Sequence, residues 1–161
     1  MFSKACIYSI QATIYLAQKS NQNSDRAFIP VAEIAQSLNI PFQFLKKIIQ
    51  TLGEEGLLVT QRSAKGGVAL ARAAENITVF DVIKAIDGGE MFESECILKF
   101  PGCGNEKPCP MHHHWAVERV RLKAMFEKTN LYYLAANVSK GLTRLGFVLD
   151  IESSTEPHFS S

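Results

Sequence analysis

IPVAEIAQSLNIPFQFLKKIIQTLGEEGLLVTQRSAKGGVALA, residues 29–71, changes periodicity twice and so decides the fold. Val31, Ile34, Ala35 and Leu38 form one stripe of a short helix. Asn39 and Ile40 lead into Pro41, whose preset φ and missing N–H suit the first turn of a second helix. There Phe42, Leu45, Ile49 and Leu52 fall at i, i+3, i+7 and i+10, predicting a buried stripe. Gln43, Lys46, Lys47 and Gln50 lie on another face, free for a partner. Gly56 ends the helix, and LLVT (57–60) and VALA (68–71) read as short strands joined by QRSAKGG. Helix, tight turn, helix and a hairpin with a basic tip describe a winged helix-turn-helix. The predicted fold class is mainly α with a small two-stranded β wing.

The charge pattern agrees. The 161-residue chain is nearly balanced at +1, but residues 26–72 hold six Lys or Arg against Glu33, Glu54 and Glu55. After Gly146 come Asp150, Glu152 and Glu156 with no basic residue. A balanced total therefore conceals a basic segment, as a phosphate-facing surface requires. The length suits one domain, or a small domain plus an oligomerising element, with a core that needs no disulfide staples. No apolar run approaches the roughly 20 residues that span a bilayer. The N-terminus lacks the pattern of a signal peptide. Its Ile7, Ile10, Ile14 and Ala17 repeat at helical spacing instead, predicting a helix from about Ser3 to Lys19. A cytoplasmic protein with no membrane partner is expected.

Beyond the hairpin, NITVFDVIKAID predicts a helix capped by Thr78 with Asp81 at the box position, burying Val82, Ile83 and Ile86. GGEMFESE reads as a flexible exit. A long helix follows over about His113–Asn130, apolar on two sides: Trp115, Leu122 and Phe126 on one, Val117, Val120 and Ala124 nearly opposite. Two apolar sides need two packing partners, such as the chain's own domain and a second subunit. The final residues, ESSTEPHFSS, read as disordered.

Between these helices lies CILKFPGCGNEKPCPMHHHW, residues 96–115, with three of four cysteines, three of four histidines and the only tryptophan. In a reducing cytosol such clustering points to ligands or redox groups rather than a disulfide knot. Thiolates are soft anionic donors that suit zinc and iron–sulfur clusters equally. Structural zinc sites usually contain a close C-x₂₋₄-C pair, which is missing here. Gaps of six and five residues between Cys96, Cys103 and Cys109 give room for a bulkier cluster, and Pro110 makes a Cys-Pro like that of ferredoxin ligand runs. With no C-x-x-C and no βαβ pattern, a thiol redox enzyme using Cys103 or Cys109 is the weakest reading. Cys6 reads first as a small buried hydrophobe.

The order of these parts resembles the IscR/NsrR/CymR-type winged-helix transcription regulators, over roughly residues 2–135. The most specific match is Cys96, Cys103 and Cys109 with His112 three residues on and Trp115 six residues on, similar to the iron–sulfur-binding, IscR-like branch. The resemblance implies a [2Fe–2S] cluster on the three cysteines, with [4Fe–4S] or zinc as alternatives. It implies His112 as the fourth ligand and a homodimer joined through the long helix. Some relatives take an acidic ligand from the first helix of the other subunit, but the matching position is Ile7, which cannot ligate, and Cys6 beside it would be a distant substitute. For DNA it implies Gln43, Phe44, Lys46 and Lys47 in the major groove or on its phosphates. Arg62 and Lys65 at the wing tip would reach the minor groove or backbone, with Gly66 and Gly67 allowing close approach or only turning the hairpin. There are departures: the first cysteine gap is one residue longer than usual, the wing reads RSAKGG instead of a Gly- and Pro-rich run, and Lys46 replaces a base-discriminating glutamate.

The expected organisation is a DNA-binding domain (1–90), a cluster loop (91–112), a dimerisation helix with a C-terminal helical segment (113–150) and a disordered tail (151–161). The expected function is a homodimeric regulator, a repressor, whose grip on a double-stranded operator depends on the cluster. Nitric-oxide sensing and a zinc-stabilised protein without sensing are the alternatives.

Overall fold

The computed structural model describes residues 2–22 and 28–145. The elements are α1 (Lys4–Gln22), α2 (Val31–Leu38), α3 (Phe42–Glu54), β1 (Leu58–Gln61), β2 (Gly67–Leu70), a 3₁₀ turn (Ala74–Asn76), α4 (Val79–Asp87), α5 (Glu90–Glu93), α6 (His112–Lys128) and α7 (Leu131–Ser139). The winged helix-turn-helix is present, each strand one residue away from its expected bounds. None of the described helices is long and apolar enough to cross a membrane.

The turn between α2 and α3 is made by Asn39 in the left-handed region (φ 51°), one of the residues that tolerate it. The Ile40 N–H returns to the Ala35 carbonyl at 2.9 Å, and the Ile40 side chain is buried. On α3, Leu45, Ile48, Ile49 and Leu52 are buried, but Phe42 is 44% exposed. The predicted stripe was therefore wrong at its first member. Position 42 lies about 60° round the helix from Leu45, on the first turn and outside the side that Leu45, Ile48, Ile49 and Leu52 define. On α1, Ile14 and Ala17 are buried as expected, Ile10 is half-buried and Ile7 is exposed.

The hairpin is antiparallel, with Leu58 opposite Leu70 and Gln61 opposite Gly67. Ile29 bridges Val68 on the free side of β2, by paired backbone hydrogen bonds of 2.9 Å each. The wing is thereby fastened to the segment that enters the helix-turn-helix.

Thr78 and Asp81 form the expected capping box: Thr78 Oγ1 accepts from the Asp81 N–H, and the Asp81 carboxylate accepts from the Thr78 N–H. Val82 and Ile83 are buried and Ile86 is half-buried. The flexible exit is corrected: Glu90–Glu93 form one helical turn that buries Phe92. A polar composition hid that aromatic anchor. Phe92 meets Phe80 (5.5 Å between centroids) and Phe126 (5.9 Å), and Phe126 meets Phe2 (5.6 Å), all edge-on. This small core, shared with Cys6, Val79, Ile83 and Leu122, seats α6 on α4 and α5.

As expected, α6 has two apolar sides. Trp115 is buried, and Leu122 and Phe126 join the second core. Val117 and Val120, on the opposite side, are 52% and 62% exposed. Where α6 gives way to α7, Asn130 bridges Thr78, the Val79 N–H donates to the Thr129 carbonyl and the Leu131 N–H donates to the Ile77 carbonyl, both at 2.9 Å. Buried Leu131 and Ala135 then join α7 to the main core. The acidic residues after Gly146, the expected tail 151–161 and Arg26 lie outside the described residues.

Candidate metal centre and nucleic-acid interface

The chain from Cys96 to His112 is a run of tight turns. The Lys99 N–H returns to the Cys96 carbonyl (2.9 Å), that of Cys103 to Phe100 (3.3 Å) and that of His112 to Cys109 (3.0 Å), while the Gly104 N–H donates forward to the Lys107 carbonyl (3.4 Å). Lys99 (φ 57°) and Gly102 (φ 69°) turn through the left-handed region. Folding back in this way converges the three sulfurs. The Sγ atoms of Cys96, Cys103 and Cys109 all lie within 4.8 Å of one another, and Cys96 and Cys109 are 3.5 Å apart. His112, on the first turn of α6, places Nδ1 3.3 Å from Cys103 Sγ. The three predicted thiol ligands are thus brought together, and His112 stands beside one of them, Cys103. His113 and His114 are exposed, and only His113 touches the set, its ring edge-on to His112.

Local hydrogen bonds differentiate the thiols. The Phe100 N–H, helped by that of Leu98 and by the other two cysteines, brings Cys96 down to about 7. The Cys109 N–H favours the Cys103 thiolate, but desolvation and the neighbouring thiols outweigh it, so Cys103 is raised. Cys6 lies elsewhere, fully buried against α4; burial first, then nearby Asp87, pushes it up to about 12. It is an inert core residue.

Three thiols and one imidazole nitrogen are a donor set that both iron–sulfur clusters and zinc accept. Tetrahedral Zn–S bonds of ~2.3 Å put sulfurs about 3.8 Å apart, close to the spacing seen. A larger cluster takes the same donors after the loop opens, and residues 97–102 and 105–108 of that loop are exposed.

On the DNA side, Gln43, Lys46 and Lys47 project from the exposed side of α3, and Arg62 and Lys65 stand exposed at the wing tip. Phe44 is placed differently: half-buried, its ring meets Tyr8 of α1 edge-on at 5.7 Å. Phe42 takes the free position at the head of α3, which the helical-stripe reading missed. A Cβ on Gly66 would meet the Gln61 carbonyl oxygen at 2.1 Å, and one on Gly67 the Ile29 carbonyl oxygen at 2.3 Å. Both glycines are required by the wing's own backbone.

Residues 2–137 match the family model Rrf2, described as an iron-dependent transcriptional regulator. An HTH-type transcriptional regulator of Aquifex aeolicus is 30% identical over 133 residues, 81% of this chain and 88% of that one. The HTH-type transcriptional regulator IscR of Escherichia coli O1:K1 is 26% identical over 136 residues, 84% of this chain and 78% of that one. Among solved structures, CymR, the global cysteine regulator of B. subtilis, superposes with a TM-score of 0.69 at 23% identity, covering 84% of this chain and 96% of that one. A family match over residues 2–137, on a winged helix-turn-helix with an exposed basic helix and wing, means that this chain belongs to the Rrf2 family of transcriptional regulators.

Proposed function

We propose that this protein is a homodimeric repressor whose operator affinity is set by an iron–sulfur cluster, [2Fe–2S] in the first instance, held by Cys96, Cys103, Cys109 and His112. The observation that carries the proposal is the convergence of three sulfurs within 4.8 Å of one another, joined by His112 Nδ1. A bound cluster would supply a redox-active, oxidant-labile centre. The protein's own residues do the rest. Gln43, Lys46 and Lys47 meet the major groove, with Arg62 and Lys65 on the flanking backbone. The uncovered side of α6, with Val117 and Val120, supports pairing with a second copy, which would match two α3 helices to a pseudo-palindromic operator.

Coupling has a physical route. The cysteine loop ends on α6, and the far end of α6 is hydrogen-bonded at Thr129 to Val79, close after the wing. Opening the loop around a cluster would displace α6, and the bridge at Thr78 and Asn130 would pass that shift to the DNA-binding part. The short sulfur spacing favours one second reading, a zinc-stabilised regulator without sensing.

Anaerobic purification with visible spectroscopy and iron, sulfide and zinc analysis separates the two. Coloured protein with matching iron and sulfide supports the cluster, whereas colourless protein with one zinc per chain replaces it by zinc. Cys103→Ala is expected to change operator affinity while the dimer stays folded. Unchanged affinity in cells able to build clusters would overturn the switch.

A further inference from the structure

His112 has a contact at each ring nitrogen. Nδ1 is 3.3 Å from Cys103 Sγ, and Nε2 is 3.2 Å from Asn105 Oδ1. A neutral imidazole carries one N–H, and an amide oxygen only accepts. With the Asn105 amide oxygen as acceptor, the proton belongs on Nε2 and the Nδ1 lone pair faces Cys103 Sγ. The opposite tautomer would turn an N–H towards Cys103, and a protonated nitrogen cannot ligate a metal.

We propose that Asn105 is a positioning residue that holds His112 as the Nε2–H tautomer and so makes Nδ1 the donor atom offered to the metal centre. This rests on the metal-centre reading of the cysteine loop. Asn105 comes two residues after Cys103, in the turn that the Gly104 N–H closes onto the Lys107 carbonyl at 3.4 Å. Its side chain is thus carried by the segment that carries one of the thiols, and loop and imidazole are set together. A hydrogen-bond acceptor behind a ligating imidazole fixes its ring orientation and raises its basicity, and losing one typically costs about 10- to 100-fold in metal affinity.

The test begins with metal-free, reduced, full-length protein carrying ¹⁵N-histidine. Long-range ¹H–¹⁵N correlation spectra report which nitrogen is protonated, with His112→Gln assigning the peak. His112 is expected as Nε2–H in the wild type and in Asn105→Asp, and as a mixture with Nδ1–H in Asn105→Ala. Asn105 is exposed, so neither change threatens folding. The same three proteins, loaded anaerobically with iron and sulfide, are then followed for metal release to a chelator. Asn105→Ala is expected to release its metal about 10-fold faster, with the nitrogen hyperfine coupling of the reduced protein altered and Asn105→Asp restoring both. An Nδ1–H wild type, or an Asn105→Ala spectrum and release rate equal to wild type, would overturn the proposal. Wild type that is Nε2–H but retains neither iron nor zinc would overturn the metal reading itself, and the donor role with it.

Discussion

Trp115 donates its indole N–H to the Glu95 carbonyl oxygen across 3.0 Å, joining a buried side chain of α6 to the residue just before Cys96. The bond closes the cysteine loop at its base. From Cys96 onward the chain wanders through exposed turns, yet it leaves and rejoins the body at points this indole holds together. The sulfurs therefore converge within a loop that is closed at its base as well as folded by its turns.

Trp115→Phe keeps most of the ring and removes the donor. The bond is part-buried, so the carbonyl it leaves behind is only partly open to water and the loss is about 1–2 kcal/mol of stability. The larger effect is on the loop: metal release to a chelator is expected to accelerate while thermal unfolding shifts only a few degrees. Trp115→Ala, which also empties a buried site, is expected to cost about 3–5 kcal/mol. Equal metal release from wild type and Trp115→Phe would mean that the turns alone hold the sulfurs.

Thiol reactivity should separate Cys96 from Cys6 in metal-free protein. The thiolate is the reactive form, and Cys96 is drawn down to about 7 while Cys6 is pushed up to about 12. Iodoacetamide at pH 8 is expected to label Cys96 ahead of Cys103 and to leave Cys6 untouched. For Cys6 the sign is that of a group whose folded value is raised. The folded state favours the neutral thiol, that contribution is complete below the ordinary value near 9, and it fades as pH rises towards 12. Peptide mapping of the labelled sites checks the order, and early modification of Cys6 would contradict its buried placement.

Lys46→Ala and Lys47→Ala should each weaken operator binding and, where the lysine neutralises a phosphate, reduce the slope of log affinity against log salt by about 1. Gln43→Ala, by contrast, should relax sequence preference with little change in the slope. Phe44→Ala is expected to act through stability, because its ring packs on Tyr8. Titrations at several salt concentrations separate the three behaviours, and a Lys46→Ala protein with wild-type affinity would remove that lysine from the interface.

The regular elements were legible because each carries its own period or cap: the α2 stripe, the Thr78–Asp81 box, the hairpin and the two-sided α6. The candidate metal centre was legible because the spacing of cysteines and histidines is itself chemistry. What escaped depended on distant partners. Phe42 and Ile48 exchange places because the buried side of α3 is set by what packs on it, not by the neatest spacing. Phe92 is buried because Phe80 and Phe126 come from α4 and α6 to meet it. Asn105 gave no signal, since an asparagine in a Gly- and Pro-rich loop reads as turn chemistry until His112 is folded beside it.

Gly67 offers a test of whether the wing glycines serve DNA or the wing. A Cβ there would sit 2.3 Å from the Ile29 carbonyl oxygen, which accepts the Val68 N–H that holds wing and helix-turn-helix entrance together. Backbone on both sides cannot yield as a flexible side chain would. Gly67→Ala is therefore expected to cost about 1–3 kcal/mol in stability, the usual range for overpacking, and to lower operator affinity by displacing the tip. Lys65→Ala touches no such contact and should stay within about 0.5 kcal/mol of wild type, yet weaken DNA binding if the tip reaches phosphate. Chemical unfolding and operator titration of both variants give four numbers. A Gly67→Ala protein of wild-type stability with weakened operator binding would show that this glycine acts on DNA directly, whereas loss of both assigns it to the wing's attachment.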